Sequence, residues 1–418
     1  MASFISILLA APAWWDGGHM LTAEVARLSL TPSEVAILEE VLFDWETSFP
    51  GTSSLSAAAI WADLLKCSHA ASYCHTERPP AISAFSQWHF NDKPYNPDGL
   101  PLAWPSTAYD GEIMPHLWKG NPSATYLLSQ AVRTFQMTKS RWSVNYMLRF
   151  ALHLVGDVHQ PLHTTEGFFN DTTYGELPHG DHGGNLIRIA NPEVVGGASN
   201  LHAVWDSTGG LYGQVNWPLS ESEQHALAAN ASAIMSAYPP HSLAIGGGGG
   251  ADAATLPGAE ELTSCWSAGS SGGGCEDVFL GWIDEMHAIA LQSVYPGAAN
   301  GGMLNASYVA NVRSTCQRQI ALGGYRLAGF LRLVLERSGE WQGDDAPPAR
   351  SAADGKYIHE LERELAMLGG LTVVAFVLAG IMALLLGRVA WKKRARAAHI
   401  RALAHKQMVE LQGVSGTF

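Results

Sequence analysis

The residues best suited to chemistry concentrate in one stretch, ALHLVGDVHQPLHTTEG, residues 151–167. His153 and Asp157 are four apart, so a helix would set them on one face, where both could reach a single metal ion. Pro161 should end that helix and leave His163 on the turn that follows. Gly156 has no side chain to keep another group away from the two candidate ligands. A lone histidine among these apolar neighbours would read as a hydrogen-bonded core residue. Here an aspartate is buried with it, and an unpaired carboxylate is costly there unless a metal supplies the partner.

The stretch LHAVWD repeats the arrangement, with His202 and Asp206 four apart in a predicted helix. Taken with His163, the two pairs point to more than one zinc ion, since imidazole and carboxylate are suitable zinc ligands. Two local His–Asp hydrogen bonds are the alternative for either pair alone. Upstream, Trp61-Ala62-Asp63 closes a helical pattern with Lys66 one turn later, and Trp88-His89-Phe90 sets a further histidine beside aromatic rings. Near the start, APAWWDGGH places Trp14 and Trp15 directly after a small-residue site, with His19 a few positions on.

These residues need a scaffold, and the 418-residue chain, 47% hydrophobic, is long enough to bury a substantial core. Its expected class is all-α. Thr31 and Glu34 stand in capping-box spacing ahead of a helical pattern, residues 52–65 end in an alanine-rich helix, and 123–135 and 144–158 read as helices. Helix resumes near Glu276 and again over 310–335. Alternating strands are scarce. Residues 167–185, rich in Gly, Asp, Asn and Thr, read as an irregular loop near a site. The glycine run 246–250 and the Ser/Gly run 267–274 read as flexible connectors, without the Lys-Ser/Thr ending of a phosphate loop.

The net charge of −13 conceals an asymmetry. The tail after residue 387 is basic (Arg388, Lys392, Lys393, Arg394, Arg396, Arg401, Lys406), so the body is more acidic still. That argues against a basic groove gripping duplex DNA. It does not exclude a phosphate substrate where bound cations supply the positive charge. Residues 365–387 contain no charged side chain, long enough for a membrane-spanning helix. The basic cluster after them predicts a cytoplasmic tail and an external body. The opening MASFISILLAAPA reads as a short leader cleaved after Ala13. The expected organisation is a signal peptide (1–13), an ectodomain (14–337), a juxtamembrane stalk (338–364), a transmembrane helix (365–387) and a basic tail (388–418). Its location would be the plasma membrane or an endosomal or secretory membrane, with lipid around the C-terminal helix and no protein partner inferred.

An external body fits other details. Asn170, Asn230 and Asn305 each head a glycosylation triplet. The five cysteines include no close CxxC pair. Outside the cell, Cys67 with Cys74 and Cys265 with Cys275 would close short loops. Cys316 is then buried and free, unless the pairing differs.

In order along the chain, the Trp start with GH, WAD, WHF, the HxxxD…QPLH block, GGN and NLHAVWD resemble the S1/P1 family of zinc-dependent single-strand nucleases. The resemblance covers about residues 14–336. It implies a helical fold shared with bacterial zinc phospholipase C and a site of three Zn2+. The doubled Trp and the C-terminal span look like the membrane-bound 3′-nucleotidase/nucleases of kinetoplastid parasites. In this family the first residue of the mature chain is a ligand through its amino nitrogen and carbonyl oxygen. A matching histidine five residues later selects Trp14, with His19.

Carried over residue by residue, the resemblance gives one zinc to Asp63, His89, His153 and Asp157, a second to Trp14, His19 and the same Asp157, and a third to His163, His202 and Asp206. It makes Asp63 and Asp157 catalytic, Lys66 a phosphate contact, Phe90 a base-stacking ring and Asp92 a base-edge acceptor. It leaves His159, His179 and His182 without a ligand role and gives Asn185 a supporting one. The implied reaction is hydrolysis of single-stranded RNA or DNA to 5′-nucleotides, and of 3′-nucleotides to nucleoside and phosphate. Two alternatives are a phospholipase C, whose last ligand is usually glutamate where Asp206 stands, and a non-catalytic zinc-stabilised surface binding protein, which would be expected to lack ligands.

Truncation before residue 365 should release the body from membranes as a soluble protein. Fractionation that still finds it firmly in the membrane pellet would overturn the single-anchor topology.

Overall fold

A computed structural model describes residues 15–65, 81–101, 123–215, 218–243, 256–268 and 275–342. The leader, Trp14, Lys66, Cys67, Cys74, the glycine run 246–250, residues 343–364 of the expected stalk, the apolar stretch 365–387 and the tail lie outside them. Among the described residues, no helix is long and apolar enough to cross a membrane.

The fold is predominantly helical, and helix α1, Asp16–Ser29, is its axis, buried from Asp16 through Ala26. Its partner along much of its length is the C-terminal helix of the unit, α11, Ala306–Leu335. A Cβ on Gly324 would lie 2.5 Å from Val25 Cβ and 2.8 Å from the Thr22 carbonyl oxygen, so a glycine there lets the two backbones close together. At the far end Arg332 Nη2 donates to the Ser29 carbonyl at 2.8 Å.

Between them come α2 (Pro32–Phe43), α3 (Leu55–Ala58), α4 (Trp61–Leu64), α5 (Ala124–Met137), α6 (Arg141–Asp157), α7 (Leu201–Asp206), α8 (Glu221–Ala237), α9 (Ala259–Ser267) and α10 (Glu276–Ile289). The capping box opens α2: the Glu34 amide donates to Thr31 Oγ1, and the Thr31 amide to the Glu34 carboxylate. Ser123 caps α5 and Ser140 caps α6, which satisfies amides that a helix start leaves open. The alanine-rich helix expected over 52–65 is divided into α3 and α4. α10 runs into a π-helical turn, Ala290–Val294.

One apolar cluster joins α2, α5, α6 and the second half of α11, with Phe135, Phe150 and Phe330 fully buried. A second surrounds Trp205, Tyr295 and Tyr325. Arg149 is fully buried beside the first. Its guanidinium donates to Asn145 Oδ1, Thr52 O and Oγ1, and Leu42 O, and lies over the Trp45 and Trp61 rings. It thereby ties the turn after α2 to α6.

Residues 165–177 are more regular than the composition suggests. Strand β1 (Lys93–Tyr95) pairs in parallel with β2 (Thr165–Gly167), Lys93 opposite Thr165. Strands β3 (Phe169–Asp171) and β4 (Gly175–Leu177) form an antiparallel hairpin. No alternation announces it. Asp171 Oδ1 accepts from the Thr173 and Tyr174 amides, which makes the turn, and Phe169 and Tyr174 pack on Tyr295.

The chain stays packed past residue 337, to Gln342. The Gln342 amide donates to the Lys139 carbonyl, and its own carbonyl accepts from the Arg141 amide. A disulfide joins Cys265 to Cys275. Cys316 is buried and free, under the Trp205 carbonyl.

Gly324→Ala should destabilise the protein by ~1–3 kcal/mol through overpacking at the α1–α11 contact. Gly281→Ala, exposed in α10 with nothing within 4 Å of a new Cβ, should stabilise by about 0.5–1 kcal/mol. Denaturant midpoints of the two variants check both signs.

Candidate metal centre

The described candidate ligands come from six segments of the chain. His153 and Asp157 occupy the last turns of α6, both fully buried. That helix ends after Asp157, and Gln160 Oε1 caps the short 3₁₀ turn Pro161–His163 by accepting from the Leu162 amide. This aims His163 back toward the site. Asn200 caps α7, which carries His202 and Asp206 on one face. Asp63 lies in α4, and His89 ends the 3₁₀ helix Ala81–His89. The β1–β2 pairing continues into the site: the Asn91 amide donates to the His163 carbonyl at 2.8 Å. His19 enters from α1, and a Cβ on Gly156 would stand 2.7 Å from its Nδ1. The sequence left open what comes close at Gly156; it is the His19 ring.

Asp157 is the hub. Its Oδ2 lies 3.0 Å from His89 Nδ1 and 3.2 Å from His153 Nε2, and its Oδ1 lies 3.1 Å from His163 Nδ1 and 3.4 Å from His19 Nε2. Asp63 reaches 4.0 Å from His89 Nδ1 and 3.9 Å from His153 Nε2. On the other side His202 Nε2 is 3.2 Å and His163 Nε2 3.7 Å from the Asp206 carboxylate. Ligand-capable atoms fall into three groups, each within 4.8 Å: His19, His153, Asp157; Asp63, His89, His153; and His163, His202, Asp206. The third matches the sequence expectation. In the first two, His153 stands with His19 as well as with Asp63 and His89, and the two rings stack at 3.8 Å.

Several of these atoms are buried without a hydrogen bond: both ring nitrogens of His19, Nε2 of His163 and His202, and one carboxylate oxygen each of Asp157 and Asp206. Such groups are rare unless an ion or water completes them. The opposite ring nitrogens are tied down: His153 Nδ1 donates to the Ala59 carbonyl at 2.6 Å, and His202 Nδ1 to the Gly183 carbonyl at 2.7 Å. That leaves Nε2 of each ring facing the site, the arrangement metal-binding histidines adopt. The residues therefore fit zinc in donor type, burial and tautomer.

Charge agrees. Burial pushes Asp157 up, but His153 and His163 outweigh it and hold the carboxyl well below its usual range. Asp206 is lowered against burial by His202 and His163. Burial and the neighbouring His153 bring His19 down to about 3. Burial opposes a charge on His163 too, yet Asp157 and Asp206 raise it to about 10. The two carboxylates thus favour positive charge on His163 between them.

Several residues carry the site without being candidate ligands. Gln160 Nε2 donates to Asp206 Oδ1 at 2.6 Å. Glu166 accepts from the His182 and Gly183 amides. Asp181 accepts from the Gly167 amide and the Tyr295 hydroxyl. Burial, with Asp181 and Asp92 nearby, raises Glu166 to about 9, and burial raises Asp181 to about 6. None of the three was singled out from the sequence; Gln160, inside QPLH, was the one with a visible signal. Asn185 Nδ2 donates to the His182 carbonyl at 2.8 Å.

His159 is a satisfied core residue: Nδ1 donates to the Val155 carbonyl and Nε2 accepts from Arg326. His179 and His182 are exposed. Phe90 is half-buried with its ring 4.9 Å from that of His163, and Asp92 is exposed. Trp14 and Lys66 lie outside the described residues, but the next amide, Trp15 N–H, donates to the Asp206 carbonyl at 3.3 Å. Asn170, Asn230 and Asn305 are all exposed.

Compared with known proteins, the chain matches the S1/P1 Nuclease family model over residues 14–245 and 253–336. It is similar to Endonuclease 3 of Arabidopsis thaliana (27% identity, covering 47% of this chain and 54% of that one). It is also similar to Endonuclease 2 of the same plant (22%; 79% and 94%) and to Nuclease P1 of Penicillium citrinum (24%; 77% and 97%). The chain thus spans about half of the first of these and nearly all of the other two.

Metal uptake requires neutral imidazole, and the Asp157 and Asp206 carboxylates favour a proton on His163. Zinc loading at pH 7 should therefore release about one more proton per chain from the wild type than from His163→Asn. Calorimetry in buffers of different ionisation enthalpy checks this; equal release from both would remove His163 from the set.

Proposed function

We propose that this chain, which belongs to the S1/P1 nuclease family, is a zinc-dependent phosphoesterase that cleaves single-stranded RNA or DNA to 5′-nucleotides and removes phosphate from 3′-nucleotides. The observation that carries the reading is the convergence of buried His and Asp side chains into three groups of ligand-capable atoms.

Three Zn2+ would be held by Asp63, His89, His153 and Asp157, by Trp14, His19 and Asp157, and by His163, His202 and Asp206. Bound there, zinc supplies Lewis-acid charge for the phosphate oxygens and makes water acidic enough to act as a nucleophile near neutral pH. Asp157, with a different oxygen toward His19 than toward His89 and His153, keeps the first two ligand sets adjacent. Asp63 orients the attacking water for displacement in line with the leaving 3′ oxygen. Lys66, three residues after Asp63 in the sequence, offsets the extra negative charge of the transition state. Phe90, partly exposed beside His163, gives an unpaired base a face to stack on, which duplex DNA cannot use without unstacking. Asp92 accepts a hydrogen bond from the edge of that base. An acidic body and an anionic substrate are reconciled because the positive charge sits in the site.

The same reading includes leader removal after Ala13, since a peptide bond ahead of Trp14 would turn the amino ligand into an amide. It includes a single C-terminal span in the plasma membrane or an endosomal or secretory membrane, with the catalytic body outside or lumenal. Glycans would sit at Asn170, Asn230 and Asn305.

The test is a paired assay on full-length protein from a secretory host. It would be incubated with 3′-AMP and, separately, with phosphatidylcholine, with and without a zinc chelator. Phosphate release from 3′-AMP alone, lost on chelation, is the expected outcome. Chelator-sensitive lipid cleavage would move the chain to phospholipase C, and three bound zinc ions with no turnover to a binding protein.

A further inference from the structure

The ring of His202 is aimed by one carbonyl, that of Gly183, which accepts its Nδ1–H at 2.7 Å. What fixes that carbonyl is a short turn in an unusual conformation. Gly180, His182, Gly183 and Gly184 all have positive φ, at 98°, 54°, 59° and 81°. A non-glycine residue at positive φ is disfavoured, and a glycine-rich turn orders itself at high entropic cost. Something outside the turn must hold it.

Glu166 does so. Its Oε1 accepts the His182 amide and its Oε2 the Gly183 amide, each at 3.0 Å. The turn wraps the carboxyl so closely that a Cβ on Gly180 would fall 1.7 Å from Oε1. A Cβ on Gly183 would fall 2.6 Å from the Leu162 carbonyl oxygen, so the turn is pressed against the segment that bears His163. Asp181 pins the other edge through the Gly167 amide and the Tyr295 hydroxyl. Glu166 sits in β2, three residues after His163. One side chain therefore connects the strand after His163 to the loop that orients His202.

We infer that Glu166 is a positioning residue for the His163–His202–Asp206 group: by clamping two consecutive amides it sets the Gly183 carbonyl, and through it the direction of His202 Nε2. This rests on the reading that the group holds a metal ion. The effect is confined to one of the three groups, because the Glu166 contacts lead to His202 and not to His19, His89 or His153.

The experiment is a zinc-buffered titration of the metal-stripped full-length protein, following stoichiometry and stepwise affinity, with the visible absorption of the Co2+-substituted protein as a second readout. Wild type, Glu166→Ala, Glu166→Gln and His202→Ala are compared. Glu166→Ala should weaken one of three equivalents about 10–100-fold and change the Co2+ bands of the equivalent that His202→Ala removes. Glu166→Gln, which keeps one oxygen acceptor, should recover part of the loss. Three unchanged equivalents in Glu166→Ala overturn the assignment. So does uniform weakening of all three in both variants, which a general scaffold role would give. A wild type that fails to bind a third equivalent, with His202→Ala indistinguishable from it, is instead a failure of the metal reading itself.

Discussion

A single buried carboxylate with imidazoles on both of its oxygens governs the architecture. Asp157 meets His89 and His153 through one oxygen, His19 and His163 through the other, and no solvent reaches it. Taking that charge out of water is expensive. Its partners arrive on α1, on α6, on the 3₁₀ helix before Phe90 and on the turn after Pro161. Each of those elements must be held firmly enough to keep the cluster from opening.

The surrounding packing follows from that demand. The α1–α11 contact is close because Gly324 has no side chain, and His19 rides on α1. α6 is tied through Arg149 to the turn after α2. Past its end, His159, hydrogen-bonded to Arg326, is locked against α11. The β1–β2 ladder is only three residues long, too little to stabilise a sheet alone, but it sets the segment after His89 beside the segment after His163. Polar residues without a ligand role, Gln160, Glu166 and Asp181, take up the hydrogen bonds that aim the ligand candidates.

Spacing made much of this visible. The i, i+4 pairs His153–Asp157 and His202–Asp206 lie on helices, Pro161 does end its helix, and the Thr31–Glu34 box opens α2. Family membership was readable because the motifs recur in order. The β3–β4 hairpin was not, because aromatic contacts with Tyr295, more than a hundred residues away, stabilise it rather than alternation. Glu166 and Asp181 were hidden for a similar reason: their partners are backbone amides and a distant hydroxyl, which leave no trace in side-chain spacing. His153 lying against His19 depends on how α1 crosses α6, and no local pattern encodes a crossing.

The pairing of α1 with α11 also has a consequence for biosynthesis. Among the described helices the first has its main partner in the last, so that part of its surface is covered only after about 280 further residues are made, although α3 and α6 pack on it earlier. At ~5–20 residues per second that interval is on the order of tens of seconds. Contacts so far apart in sequence form slowly. Closure of the α1–α11 contact therefore waits until the last described helix has been made.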